Sequence, residues 1–167
     1  MSGTGWANGG GGFYNVSNAK INDMTGNYIG NTANDCGGVI RNYYTLINTI
    51  TGTIIGNTSA IHGGGIQKDT GTINSLTGNF IGNTTGQDGG GLFNGNTINS
   101  LTGNFIGNTS GRNGGGIENY GGGTLTLSAD DKDILFYSNK DNSGYNDIYQ
   151  YSSGTINLNA KEGKRII

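Results

Sequence analysis

Apolar residues in this chain come in short bursts, never in long runs. Typical bursts are Ile54-Ile55, Phe80-Ile81 and Phe105-Ile106, with Gly, Asn and Thr between them. No stretch spaces its apolar residues three and four apart, so no amphipathic helix is predicted. The bursts are β-branched or aromatic and are bounded by turn-forming residues, which predicts short strands joined by tight turns.

The bursts recur. Gly37-Gly38-Val39, Gly63-Gly64-Gly65-Ile66, Gly89-Gly90-Gly91-Leu92 and Gly114-Gly115-Gly116-Ile117 share one frame with Gly10-Gly11-Gly12-Phe13. Taking residues 13, 39, 66, 92 and 117 as the equivalent aliphatic or aromatic position gives steps of 25–27 residues. A second element keeps the same phase: Tyr28-Ile29-Gly30-Asn31, Ile54-Ile55-Gly56-Asn57, Phe80-Ile81-Gly82-Asn83 and Phe105-Ile106-Gly107-Asn108. A period of this size means stacked repeats, each unable to bury its inner face alone. Leu is too sparse for a leucine-rich repeat, which leaves a single-stranded, right-handed parallel β-helix. Its hand follows from the preferred crossover of parallel strands. Each coil of about 26 residues has room for three short strands: one at Gly-Gly-Ile-x-Asn, one at Thr-Ile-Asn-Ser-Leu and one at Asn-Phe-Ile-Gly-Asn. Equivalent residues then stack about 4.8 Å apart. Asn31, Asn57, Asn83 and Asn108 form an amide ladder, with Thr32, Thr58, Thr84 and Thr109 beside it. Regular repeats cover about residues 9–120. The coils over 121–167 are looser, with an insertion at Asp130-Asp131-Lys132-Asp133, and the chain reads as one domain over 1–167.

Composition narrows the function. Of 167 residues, 35 are Gly and none is Pro; 32% are hydrophobic and 12% charged. The net charge of −2 gives no electrostatic footprint for nucleic acid. One cysteine, Cys36, excludes an internal disulfide framework. The first residues, Met1-Ser2-Gly3-Thr4-Gly5, lack the basic start and apolar stretch of a signal peptide. No apolar run reaches the roughly 18 residues of a membrane helix, so no membrane insertion by this segment is expected.

At its two motifs the chain resembles a known family. Gly-Gly-Ala followed by Ile, Leu or Val, alternating with Phe-x-x-Asn, is the paired signature of polymorphic outer-membrane proteins and related autotransporter passengers. Here Gly-Gly-Gly-Ile stands at 63–66 and 114–117, Gly-Gly-Gly-Leu at 89–92, and Phe-x-x-Asn at 80–83, 105–108 and 136–139. The third position is Gly where the family has Ala, and Tyr28 and Ile54 replace Phe in two copies. The resemblance implies a non-catalytic, adhesin-like passenger at the bacterial cell surface or secreted. Its expected partner is a host or cell-surface protein or glycan. Exposed Tyr43, Tyr44, Tyr120, Tyr145, Tyr149 and Tyr151 are the candidate contacts.

The alternative is a carbohydrate-active β-helix enzyme, a polysaccharide lyase or hydrolase. Glycoside hydrolysis needs two carboxylates across a cleft, and Asp88 with Glu118 is the pair that neighbouring coils can bring together. Most other acidic residues stand alone at turns, so no catalytic residue is assigned. Two groupings have metal-ligand chemistry: the column Cys36, His62, Asp88 ahead of the Gly cluster, and Asp130, Asp131 and Asp133 with Asn139 and Asp141. The column lacks a fourth strong ligand and the loop lacks a calcium-loop spacing, so no metal or cofactor is assigned. Ice binding needs two ranks of outward Thr, and Thr51-Gly52-Thr53 alone has both. Finally, Ser2–Asn8 with Trp6 is too short to cover three strand edges, and the chain stops at Ile166-Ile167. This predicts a piece of a longer β-helix that self-associates end to end.

Overall fold

The computed structural model describes residues 10–167; the expected covering of the first coil by Trp6 lies outside them. The described residues form a three-sided parallel β-solenoid without helix. The regular turns number about four, and the sheets continue into a coil before them and a looser segment after.

The first face stacks Phe13–Val16, Ile40–Tyr43, Ile66–Lys68, Leu92–Asn94, Ile117–Asn119 and Ile148–Gln150, all parallel. The widest sheet has nine strands, with Thr45–Ile55 and Gly71–Ile81 at its centre. The third side is built of two-residue strands, Thr32–Ala33, Thr58–Ser59, Thr84–Thr85 and Thr109–Ser110. Its last pairing, Lys140–Asp141 with Gly144–Tyr145, is antiparallel. The strands expected at Thr-Ile-Asn-Ser-Leu and Asn-Phe-Ile-Gly-Asn therefore share one face. The corner falls after Phe-Ile, at Gly30, Gly56, Gly82 and Gly107, whose φ of 60–64° suits Gly. Because every sheet is built across coils, the ladder hydrogen bonds run along the solenoid axis.

One register differs from the sequence reading. Ile40, not Val39, pairs with Phe13 and Ile66. Val39 instead takes the place of the third glycine: its N–H donates to the Gly65 carbonyl at 2.8 Å, and its carbonyl receives the Gly12 N–H at 3.0 Å. Two Gly followed by Val thus fill a three-residue slot, and the aliphatic position moves on by one.

Tyr28, Ile54, Phe80, Phe105 and Phe136 stack in register. Phe80 and Phe105 lie 4.5 Å apart and 6° from parallel. The amide ladder is present and doubly bonded. Each Asn side chain donates to the next Oδ1 at 2.8–2.9 Å, along 31, 57, 83, 108 and 139. Asn57, Asn83, Asn108 and Asn139 also donate to carbonyls of the preceding coil, at 2.8–3.0 Å. The ladder thereby pairs buried amide groups at the turn.

Candidate functional site

Residues on a strand alternate sides. On the first face Ile40, Ile66, Leu92 and Ile117 point inward, so Arg41, Gln67, Phe93 and Glu118 point out. Yet Gln67, Phe93 and Glu118 are almost fully covered. Turn residues on both edges wall this column and leave a cleft of about 410 Å³. One wall carries His62, Asp88 and Arg112; the other carries Asp69, Thr70, Gly95 and Tyr120, with Tyr43 and Tyr44 at one end.

Asp88 is the centre of the first wall, and only 1% of it is exposed. Arg112 grips both its oxygens, through Nε at 2.8 Å and through Nη2. Asn113 Nδ2 donates to Oδ1 at 3.1 Å, and His62 Nδ1 lies 3.2 Å from Oδ2. Burial pushes the Asp88 carboxyl up, but Arg112 and Glu118 outweigh it and hold it below its ordinary value. The Glu118 carboxyl, from the next coil, meets that of Asp88. Burial first, then the charge of Asp88, pushes Glu118 up to about 8. Asp88 is therefore ionised and Glu118 neutral at pH 7. Two carboxyls in contact can ionise only one of the pair cheaply. Burial lowers the His62 pKa, so its ring is neutral.

On the opposite wall Asp69 accepts from Arg41 Nε at 3.1 Å and from Gln67 Nε2 at 2.5 Å. Arg41 Nη1 also pairs with Asp35, at 2.6 Å. Since the carboxylate fixes which end of the Gln67 amide donates, Oε1 is left as an acceptor, and it has no donor.

Asp88 and Glu118 do meet. His62 pairs with Asp88, and Asp88 with Asn113, across the stack. Cys36 meets the His62 backbone and donates to Asp35 at 3.3 Å. Burial pushes its thiol up to about 12, far from a thiolate ligand. In the inserted loop Asp133 binds Arg165 at 2.8 Å and Asp130 lies 3.9 Å from Lys161. No group of three or more His, Cys, Asp or Glu among the described residues is arranged for a metal ion.

The tyrosines divide. Tyr120 lies between Phe93 at 5.5 Å and Tyr151 at 4.9 Å, and Phe93 stacks in turn on His62 at 4.7 Å. The ring planes follow one another along the axis, so their edges rather than their faces meet solvent. Tyr145 faces Lys140, 5.0 Å away, and Tyr43 faces Arg41, 5.9 Å away. Tyr149 is half-buried. Tyr44 has Tyr43 as its edge-to-face partner, at 4.4 Å and 78°.

Arg41, Gln67 and Asp69 escaped the sequence reading. For Arg41 and Gln67 the signal was the column Arg41, Gln67, Phe93, Glu118, Tyr149, where the residue changes from coil to coil in an otherwise repetitive frame. Compared with family models, with curated proteins and with solved structures, the chain matches none.

Proposed function

We propose that the chain is a non-catalytic binding protein of the adhesin kind, displayed at a cell surface or secreted, whose cleft holds a saccharide of a host or cell-surface glycan. An orphaned acceptor carries this reading. Gln67 Oε1 is buried without a donor, and a buried unpaired acceptor costs about 1–3 kcal/mol. Sugar hydroxyls supply such donors in numbers. Asp69 adds a further acceptor, and Arg112 brings donors of its own. A cleft of about 410 Å³ is of small-ligand size.

The enzyme reading draws on the split between ionised Asp88 and neutral Glu118, the arrangement of an acid–base pair. Its geometry is unfavourable. Glycosidases hold their carboxyls at least about 5 Å apart, with the scissile bond between them. Here the two carboxyls touch, and Arg112 weakens Asp88 as a base.

The test is titration calorimetry against mono- to trisaccharides of glucose, N-acetylglucosamine, galactose and mannose, with products followed by chromatography. Saturable binding that weakens about tenfold in Gln67→Leu, without cleavage, is the expected result. Cleavage that disappears in Asp88→Asn would reverse the reading in favour of an enzyme.

A further inference from the structure

Five non-glycine residues among those described have φ near +60°: Ser17, Asn18, Tyr44, Ser138 and Ser152. Four are small and polar. A bulky side chain is an outlier in this region. Strain of that kind persists only where surrounding structure enforces it, and it gathers at ligand sites. Tyr43 pairs with Val16, so Ser17 is the counterpart of Tyr44 on the preceding coil. The corner itself therefore has no need of an aromatic.

The surroundings of Tyr44 add a second observation. Its N–H is held by Thr70 Oγ1 at 2.9 Å, and its carbonyl receives the Asn18 N–H at 3.3 Å. The backbone is pinned while the ring stands 57% exposed. The ring lies outside the stack that consumes the faces of Phe93 and Tyr120, and its edge-to-face contact with Tyr43 cannot cover both its faces. Tyr44 also lines two clefts. One is the cleft of Gln67 and Asp88; the other, of about 460 Å³, lies on its far side among Asn18, Lys20, Thr45, Leu46 and Thr72. Tyr44 is the one described residue that the two clefts share.

Resting on the saccharide reading above, we propose that Tyr44 is the stacking platform of a linear oligosaccharide that crosses from one cleft to the other. One pyranose ring lies with its C–H face on the phenol, and its neighbours on either side occupy the two clefts. An aromatic side chain offers such a surface with only two rotatable bonds to order. A monosaccharide fills one cleft and gains little from Tyr44; a trisaccharide engages all three places.

The strain makes the test two-sided. Tyr44→Gly removes the ring but also relieves the backbone, because Gly takes positive φ freely. The thermal midpoint is expected to hold or to rise by about 2–4 °C, while the Kd for the best wild-type trisaccharide rises about tenfold and its advantage over the monosaccharide disappears. Tyr44→Phe keeps the ring and is expected to bind and melt as the wild type does. A Tyr44→Gly variant that binds the trisaccharide as tightly as wild type overturns the platform and leaves the saccharide reading intact. A fall in its midpoint would make Tyr44 a structural residue and overturn the inference in the same way. Failure of the wild type to bind any sugar of the panel sinks the saccharide reading itself, and the platform with it.

Discussion

Lys68 stands at an inward position that Asn42 and Asn94 fill on the adjacent coils, and Asn119 on the next. Asn94 and Asn119 continue a side-chain ladder there, bonded at 2.7 Å, whereas Lys68 Nζ is buried with no partner. Burial lowers its pKa to about 7 from an ordinary 10.5. An unfolded chain therefore binds the proton more tightly between those values, and stability rises with pH across that window. Glu118 works in the opposite sense. Its pKa is raised to about 8 from 4.5, so the folded state holds the proton more tightly and stability falls as pH climbs from 4.5 to 8. Lys68→Asn should stabilise by about 1–3 kcal/mol, most below pH 7, with the pH-dependent part gone above pH 10.5. Glu118→Gln should change nothing below pH 4.5 and stabilise increasingly towards pH 8. Denaturant melts across pH check both, and gains of the reverse pH dependence would contradict the assignment. Glu118 stood out in the sequence as the partner of Asp88, but Lys68 did not stand out at all. A pattern reader sees Lys68 as a surface cation, because only strand register reveals that it faces inward.

Among the elements, the glycine clusters and the glycine corners look alike in the sequence and differ in what they tolerate. A Cβ on Gly64 would stand 2.2 Å from the Gly90 carbonyl oxygen and 2.6 Å from that of Thr84, both backbone atoms of the next coil. A Cβ on Gly82 would meet nothing within 4 Å; only its φ of +60° speaks against one. Gly82→Ala should therefore cost about 1–2 kcal/mol, while Gly64→Ala forces two coils apart and should cost several times more or prevent folding. Urea denaturation of the pair tests this; equal losses would mean that conformation alone selects both glycines. The strands themselves were legible, because the period and the β-branched bursts encode them directly. The one-residue slip at Val39 was not. Gly37-Gly38-Val39 aligns by composition with a cluster followed by its aliphatic residue, and only the hydrogen bonds show that Val39 sits in the third glycine's slot.

At the scale of the whole molecule, each coil touches only its neighbours, so stability is close to a sum over coils and their interfaces. Thr72 pairs with Thr97, and Ile73 with Ile98. Deleting residues 73–97 would join the chain in phase and remove one coil, together with Asp88 and Phe93. The shortened protein is expected to keep its β-sheet circular dichroism, to unfold cooperatively at lower denaturant, and to lose sugar binding. Loss of all structure would show that the coils are not interchangeable units. The cleft was only partly readable in advance for the same reason: the residues that meet across its coils, such as Asp88 with Arg112 and Arg41 with Asp69, lie 24 and 28 residues apart in the chain and become neighbours only when coils stack, and its walls come from turns whose reach no pattern states. That stacking has a mechanical side. With the ladder bonds running along the axis, a pull on the two ends loads them lengthwise and a few at a time, so the outermost coil peels before the next one feels the full force. Each release would lengthen the chain by about 85 Å, the span of some 26 extended residues, so the molecule would yield to tension in equal steps, as a spring that gives up one turn at a time.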